Sequence, residues 1–181
     1  MTIVAAIKKG GETWIGADRI CTDGSISYSV SKLITVLPGI VIGLAGQLSF
    51  LNLFRNALKN VSGTINSHDD VYELVQYLKR QINQYGCGKP EKDSMPLHEF
   101  SLLIATPRHM YICEGDYSII EHSKYIGIGC GRDYAMGALQ VLYNTRHKPR
   151  EILKRSLMAT CALTIQCGEG IELIKISKGK K

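Results

Sequence analysis

Short apolar segments broken by glycine-rich turns open the chain. Thr2–Ile7 and Glu12–Ala17 read as two strands of a hairpin, turning at Lys8-Lys9-Gly10-Gly11. Asp23-Gly24-Ser25 is a turn, and Lys32–Leu37 and Ile40–Leu44 form a second strand pair around Pro38-Gly39. The unbroken apolar run 40–46 predicts a strand buried on both faces. From Ser49 the period becomes helical, and Phe50, Leu51, Phe54, Ala57, Leu58 and Val61 share one face. Asp69-Asp70 supplies a cap and an acidic first turn for a second helix, whose stripe is Val71, Leu74, Val75, Leu78 and Ile82. Tyr85–Leu97, rich in Gly, Pro and charge, is loop. Strands return at Glu99–Ala105 and Met110–Cys113, linked by Thr106-Pro107-Arg108. Gly127-Ile128-Gly129-Cys130-Gly131 leads into a helix through Ala135, Ala138, Leu139 and Leu142. Pro149 suits the first turn of another, carrying Ile152, Leu153 and Leu157. Two closing strands are predicted, Ala162–Cys167 and Ile171–Ile176.

Strands in hairpin pairs imply mainly antiparallel sheets. Helices arriving in consecutive pairs argue against a doubly wound α/β fold. The order predicts an α+β chain in which two helix layers enclose two packed sheets. At 181 residues, with no tandem repeat and no linker, we expect one domain over residues 1–181, ending in a basic tail at 175–181.

Hydrophobic content of 45% and charged content of 21% are ordinary for a globular chain. No apolar run is long enough to span a bilayer, and no secretory signal precedes the first strand, so we expect a cytoplasmic protein without a membrane partner. Cys21, Cys87, Cys113, Cys130, Cys161 and Cys167 show neither metal-ligand spacing nor a disulfide framework. Reduced, mostly buried thiols are expected, with no metal or cofactor. The net charge of +6 owes much to Lys175, Lys178, Lys180, Lys181 and Arg146-His147-Lys148. No aromatic-interleaved basic motif accompanies it, so the tail reads as solvated rather than as a nucleic-acid site.

Candidate chemistry sits at the second residue. If Met1 is removed, Thr2 carries a hydroxyl and a free α-amine on one residue. An α-amine titrates near ~7.7–8.0 in short peptides, so it can serve as a base at neutral pH. A hydroxyl with a built-in base is one way to activate a weak nucleophile.

Thr2, Gly16-Ala17-Asp18, Lys32, Gly43-Leu44-Ala45-Gly46 and Gly129-Cys130-Gly131, in this order of elements, resemble the proteasome-type β subunits, with bacterial HslV and the short bacterial proteasome homologues the nearest kin. The resemblance covers nearly the whole chain. It implies a four-layer αββα sandwich and an N-terminal-nucleophile threonine hydrolase. Thr2 would attack the scissile carbonyl and its own α-amine would take the proton. Lys32 would place an ammonium near the threonine, favouring deprotonation of its hydroxyl. Asp18 would pair with Lys32, and Gly46 would offer its N–H to the oxyanion. Thr22 and Gly24 would hydrogen-bond substrate as an added strand. The first pocket maps onto Cys21, Val30, Ile34, Leu44 and Leu48, with Asn52 at its base. These are mostly apolar, with no charge facing the pocket, which implies cleavage after large apolar residues. The family also implies polypeptide substrates, a homo-oligomeric ring or stacked rings, and an ATP-dependent unfoldase as a possible partner.

Two departures matter. Cys130 stands where the family usually has serine, and a thiol is the weaker donor. The acidic residue expected after the last helix is absent, with Ala159-Thr160-Cys161-Ala162 in its place. These keep open a ring protein of the same fold that has lost activity and serves as a scaffold or binding shell. Two other chemistries carry less. Gly127-x-Gly129-x-Gly131 lacks the dinucleotide-loop spacing. A cysteine hydrolase would need His122 or His147 beside Cys130.

Overall fold

The computed structural model describes residues 2–23, 25–65, 67–85, 99–168 and 170–177. Strands β1 (Val4–Lys9) and β2 (Glu12–Asp18) form the first hairpin, closed by Gly10-Gly11. A small hairpin follows, β3 (Ile20–Asp23) and β4 (Ile26–Ser29). Then come β5 (Leu33–Leu37), β6 (Ile40–Gly46), α1 (Leu48–Ala57), a 3-10 turn at Leu58–Asn60, and α2 (His68–Tyr85). Next are β7 (Phe100–Ala105), β8 (Met110–Glu114), β9 (Ile119–His122), β10 (Tyr125–Ile128), α3 (Arg132–Tyr143), α4 (Pro149–Leu163) and β11 (Ile171–Ile176).

The strands make two large antiparallel sheets, ordered β10-β1-β2-β11 and β5-β6-β7-β8-β9, beside the two-stranded β3-β4. Strand alternation sorts their side chains into three cores. Val4, Ala6, Ile15, Ala17, Val41, Ala45, Leu103 and Ile112 fill the space between the large sheets. Ile3, Ala5 and Ile7, on the other face of β1, pack on Ala135, Leu139, Ile152, Leu153 and Leu157 of α3 and α4. Ile40, Ile42, Leu44, Leu102 and Ile104 pack on α1 and α2. The layers therefore run α3/α4, sheet, sheet, α1/α2, as the sequence implied.

Local chemistry accounts for the helix boundaries. Asp70 N–H donates to Ser67 Oγ and Ser67 N–H to Asp70 Oδ2, a reciprocal capping box at the start of α2. The cap is thus Ser67 rather than Asp69. Pro149 occupies the first turn of α4, as expected. All three phenylalanines, Phe50, Phe54 and Phe100, cluster under α1 with centroids 5.1–6.1 Å apart.

Three sequence expectations change. Ala162 and Leu163 finish α4, and Thr164–Cys167 turns back through a Cys167 N–H to Thr164 O bond, so no strand forms there. Thr164 Oγ1 also accepts from Gln166 N–H, a side-chain turn that competes with extended pairing. The β3-β4 pair, β9 and β10 go beyond the strands read from the pattern. The thiols are less buried than expected: Cys113 and Cys167 are buried, Cys21 and Cys161 half-buried, and Cys130 exposed. Cys87, most of the predicted 85–97 loop and residues 178–181 of the tail lie outside the described residues. Among the described residues, no helix is long and apolar enough to cross a membrane.

Candidate active site

Thr2 lies two residues ahead of β1, the strand between β10 and β2, and is 5% exposed. Its N–H donates to Cys130 Sγ at 3.0 Å, and the Cys130 thiol donates back to Thr2 O at 3.3 Å. Gly131 N–H also donates to Thr2 O, at 3.2 Å. The 127–131 segment is therefore a clamp on Thr2. Its backbone is specific: Gly129 has φ +92°, and a Cβ there would lie 2.5 Å from Thr2 O. Only glycine satisfies both constraints.

Asp18 ends β2 with its side chain fully buried. Lys32 Nζ donates to Asp18 Oδ1 at 2.7 Å, and Ile3 N–H donates to the same oxygen at 2.9 Å. Gly168 N–H donates to Asp18 Oδ2 at 3.1 Å. A buried carboxylate held by one ammonium and two backbone donors meets the conditions under which such a charge is tolerated. The same oxygen thus ties Lys32 to the residue after Thr2. Lys32 is itself 5% exposed. Its backbone joins β6 through Leu44 N–H to Lys32 O, at 3.1 Å.

These groups open onto a cleft of about 1060 Å³ where the start of β1 and the ends of β6 and β10 meet. Thr2, Lys32, Gly46 and Cys130 line it, with Cys21, Thr22, Val30, Leu44 and Leu48. Asp18 stands behind this wall. Gly46 has φ +148°, and a Cβ there would meet Glu99 O at 2.6 Å, so glycine is required by the backbone as well as by access.

Some expected members lie elsewhere. Ile34 packs against the α1/α2 core and does not line the cleft. Alternation explains it: Leu33 faces the space between the sheets and Ile34 faces the helices. Asn52 is exposed on α1. Gly24 lies outside the described residues. The expectation that no charge borders the pocket is also corrected, because Lys32 and Glu99 both line the cleft. Sequence reading missed Ile20, Tyr28 and Leu51, which add apolar surface, and Gln47, whose Nε2 donates to Glu99 Oε2 at 3.3 Å. Only their neighbours in sequence, Cys21 and Leu48, hinted at them.

The acidic departure also shifts. Residues 159–162 are helical, so the segment after the last helix is 164–170, where Gly168 N–H reaches Asp18. Glu169 of that segment lies outside the described residues. His122 sits on β9 opposite Met110, and His147 contacts Arg155. Neither lines the cleft, so neither histidine stands as a base beside Cys130. No group of three or more metal-ligating side chains is found among them either.

No family model matches the chain. It is 28% identical to the ATP-dependent protease subunit HslV of Aquifex aeolicus over 174 residues, 91% of each chain. It is 25% identical to that of Caldicellulosiruptor saccharolyticus, over 97% of this chain and 98% of the other. Among solved structures, Thiobacillus denitrificans BPH in complex with epoxomicin superposes with a TM-score of 0.83 at 19% identity, over 97% of this chain and all of that one. Eukaryotic HslV from Trypanosoma brucei gives 0.71 at 18%, over 96% and 98%. Likeness along nearly the whole sequence, together with the shared fold, supports an HslV-like, proteasome-type β subunit.

Proposed function

We propose that the chain is a threonine endopeptidase of the N-terminal-nucleophile type, with Thr2 as nucleophile once Met1 is removed. The observation that carries this reading is Asp18 Oδ1 bridging Lys32 Nζ and Ile3 N–H behind a cleft-lining Thr2. The Thr2 hydroxyl gives its proton to its own α-amine while the oxygen attacks a peptide carbonyl. Lys32 supplies positive charge near the reacting oxygen, and Asp18 fixes Lys32. Gly46 N–H receives the developing oxyanion. The α-amine then protonates the leaving amine, and water releases the acyl group from Thr2. Cys130 takes the place of a hydroxyl beside the α-amine.

Substrate enters as an extended segment along Cys21 and Thr22 of β3, with Gly24 beyond them. Ile20, Cys21, Val30, Leu44, Leu48 and Leu51 favour an apolar side chain before the cut, worth ~1.5–3 kcal/mol when buried. Polypeptides are the substrates, acting in a cytoplasmic homo-oligomeric ring or stacked rings that an ATP-dependent unfoldase feeds. The Aquifex and Caldicellulosiruptor relatives are named subunits of an ATP-dependent protease, which supports this partnership.

The weaker donor at Cys130 favours a second reading, a ring protein of this fold kept as a scaffold or binding shell. One experiment separates the two. The intact mass of protein made in cells reports whether Met1 is lost, and a fluorogenic peptide panel reports hydrolysis. The enzyme reading expects loss of Met1, cleavage after Leu, Phe or Tyr, and none in Thr2→Ala. Retained Met1 with no hydrolysis favours the scaffold, and wild-type rates in Lys32→Ala sink the mechanism.

A further inference from the structure

Three thiols gather behind and beside Thr2, and the proposed mechanism employs only one of them. Cys130 is exposed in the cleft wall and exchanges hydrogen bonds with the Thr2 backbone. Cys167 lies close to it, in the turn after α4, with its Sγ packed against the residue that follows Cys130. The glycine between them in space makes this possible: a Cβ at Gly131 would sit 2.8 Å from Cys167 Sγ. The turn holding Cys167 continues into Gly168, whose N–H binds Asp18. Cys161, half-buried, is the third member.

We propose that Cys130 and Cys167 form a reversible disulfide when the protein meets a peroxide, making the Thr2 site redox-sensitive. Exposure decides the order of events. The Cys130 sulfur attacks the peroxide O–O bond, giving a sulfenic acid and one water. The Cys167 sulfur then displaces the hydroxyl from Cys130, and the hydroxyl leaves as a second water with the Cys167 proton. Two thiols and one peroxide thus give one disulfide and two waters. Burial first, then the nearby Asp18, Cys130 and Cys161, pushes the Cys167 thiol up to about 12, consistent with a resting partner that waits for Cys130 to be oxidised. The bond removes the S–H that Cys130 donates to Thr2 O and pulls on the turn that supports Asp18. The expected loss of catalysis rests on the peptidase reading, whereas formation of the bond does not.

The test uses the full chain, reduced and then treated with hydrogen peroxide. Peptide mapping without reductant should find Cys130 joined to Cys167, in protein lighter by two hydrogens, and dithiothreitol should reverse it. Peptide hydrolysis should fall by roughly tenfold or more in step with the bond, the scale of one lost hydrogen bond, and return on reduction. Cys167→Ser should hydrolyse peptides normally while reduced. Under excess peroxide its Cys130 should pass to the sulfinic acid, so that dithiothreitol no longer restores activity. The proposal is overturned by absence of the bond, by a bond to Cys21 or Cys161 instead, by cross-linked protein that hydrolyses at the reduced rate, or by full recovery of Cys167→Ser. If reduced protein hydrolyses nothing, the peptidase reading falls, and the mapped bond still decides this one.

Discussion

Asp18 holds Lys32, the backbone beside Thr2 and the turn at Gly168, and its environment sets what a neighbouring substitution costs. Lys32→Met would leave a fully buried carboxylate with backbone donors only. We expect a loss of ~3–5 kcal/mol, read from urea midpoints. Adding Asp18→Asn should recover part of it, because the charge that lost its partner is then gone. A double variant as unstable as the sum of the two singles would show that the pair is not coupled. Gly129→Ala tests the clamp instead. Its φ of +92° and the 2.5 Å approach to Thr2 O predict a cost of ~1–3 kcal/mol and a displaced Thr2. Hydrolysis should fall far more than the melting temperature, and an unaltered rate would mean that Thr2 tolerates the shift. Most of the proposed catalytic residues were readable because they sit in short local patterns: Thr2 just ahead of a strand, Asp18 at the end of one, glycines at turns. The pocket was less readable. Ile34 is one residue out of phase with the cleft, and Glu99 reaches it from the far side of a segment distant in sequence.

At the scale of elements, the two helix pairs were legible because each buries one continuous stripe. The β3-β4 hairpin was not, because all four residues of β4 are exposed and no burial pattern marks it. The false closing strand had a related cause. Leu163 and Ile165 are apolar yet 65% and 94% exposed, so hydrophobicity there does not report burial. How closely the large sheets approach each other depends on one position. A Cβ on Gly43 of β6 would lie 2.3 Å from Val4 Cγ1 of β1. Gly43→Ala should therefore cost ~1–3 kcal/mol by overpacking. Val4→Ala removes the clashing methyl, so the double variant should be more stable than the two single costs added together. Strict additivity in chemical denaturation would argue that the sheets simply move apart.

Across the whole molecule, buried thiols set an alkaline limit. Cys113 and Cys167 are both pushed up to about 12 from an ordinary 9.0, chiefly by burial. The folded chain keeps these protons well above pH 9, whereas the unfolded chain gives them up near it. The stability they contribute is complete below about 9 and is lost as pH rises toward about 12. Urea midpoints should decline over that interval, and Cys113→Ala should flatten the decline whatever it does to stability at neutral pH. A slope unchanged by that substitution would assign the effect to other groups. The four layers themselves were legible from the order of hairpins and helix pairs, because that order leaves few ways to cover both faces of two sheets.

The direction of β1 has a practical consequence. Thr2 opens at the cleft, while Ile176 of β11 pairs with Thr13 at the opposite end of the same sheet. Any affinity tag fused ahead of Thr2 starts in the cleft and, on the proposed function, behaves as a tethered competitor at high local concentration. A tag fused after residue 181 follows a strand that ends far from the nucleophile. Preparations of this protein that differ only in which end is tagged should therefore differ in activity, and protease removal of a leading tag should restore it only when the cut leaves Thr2 first.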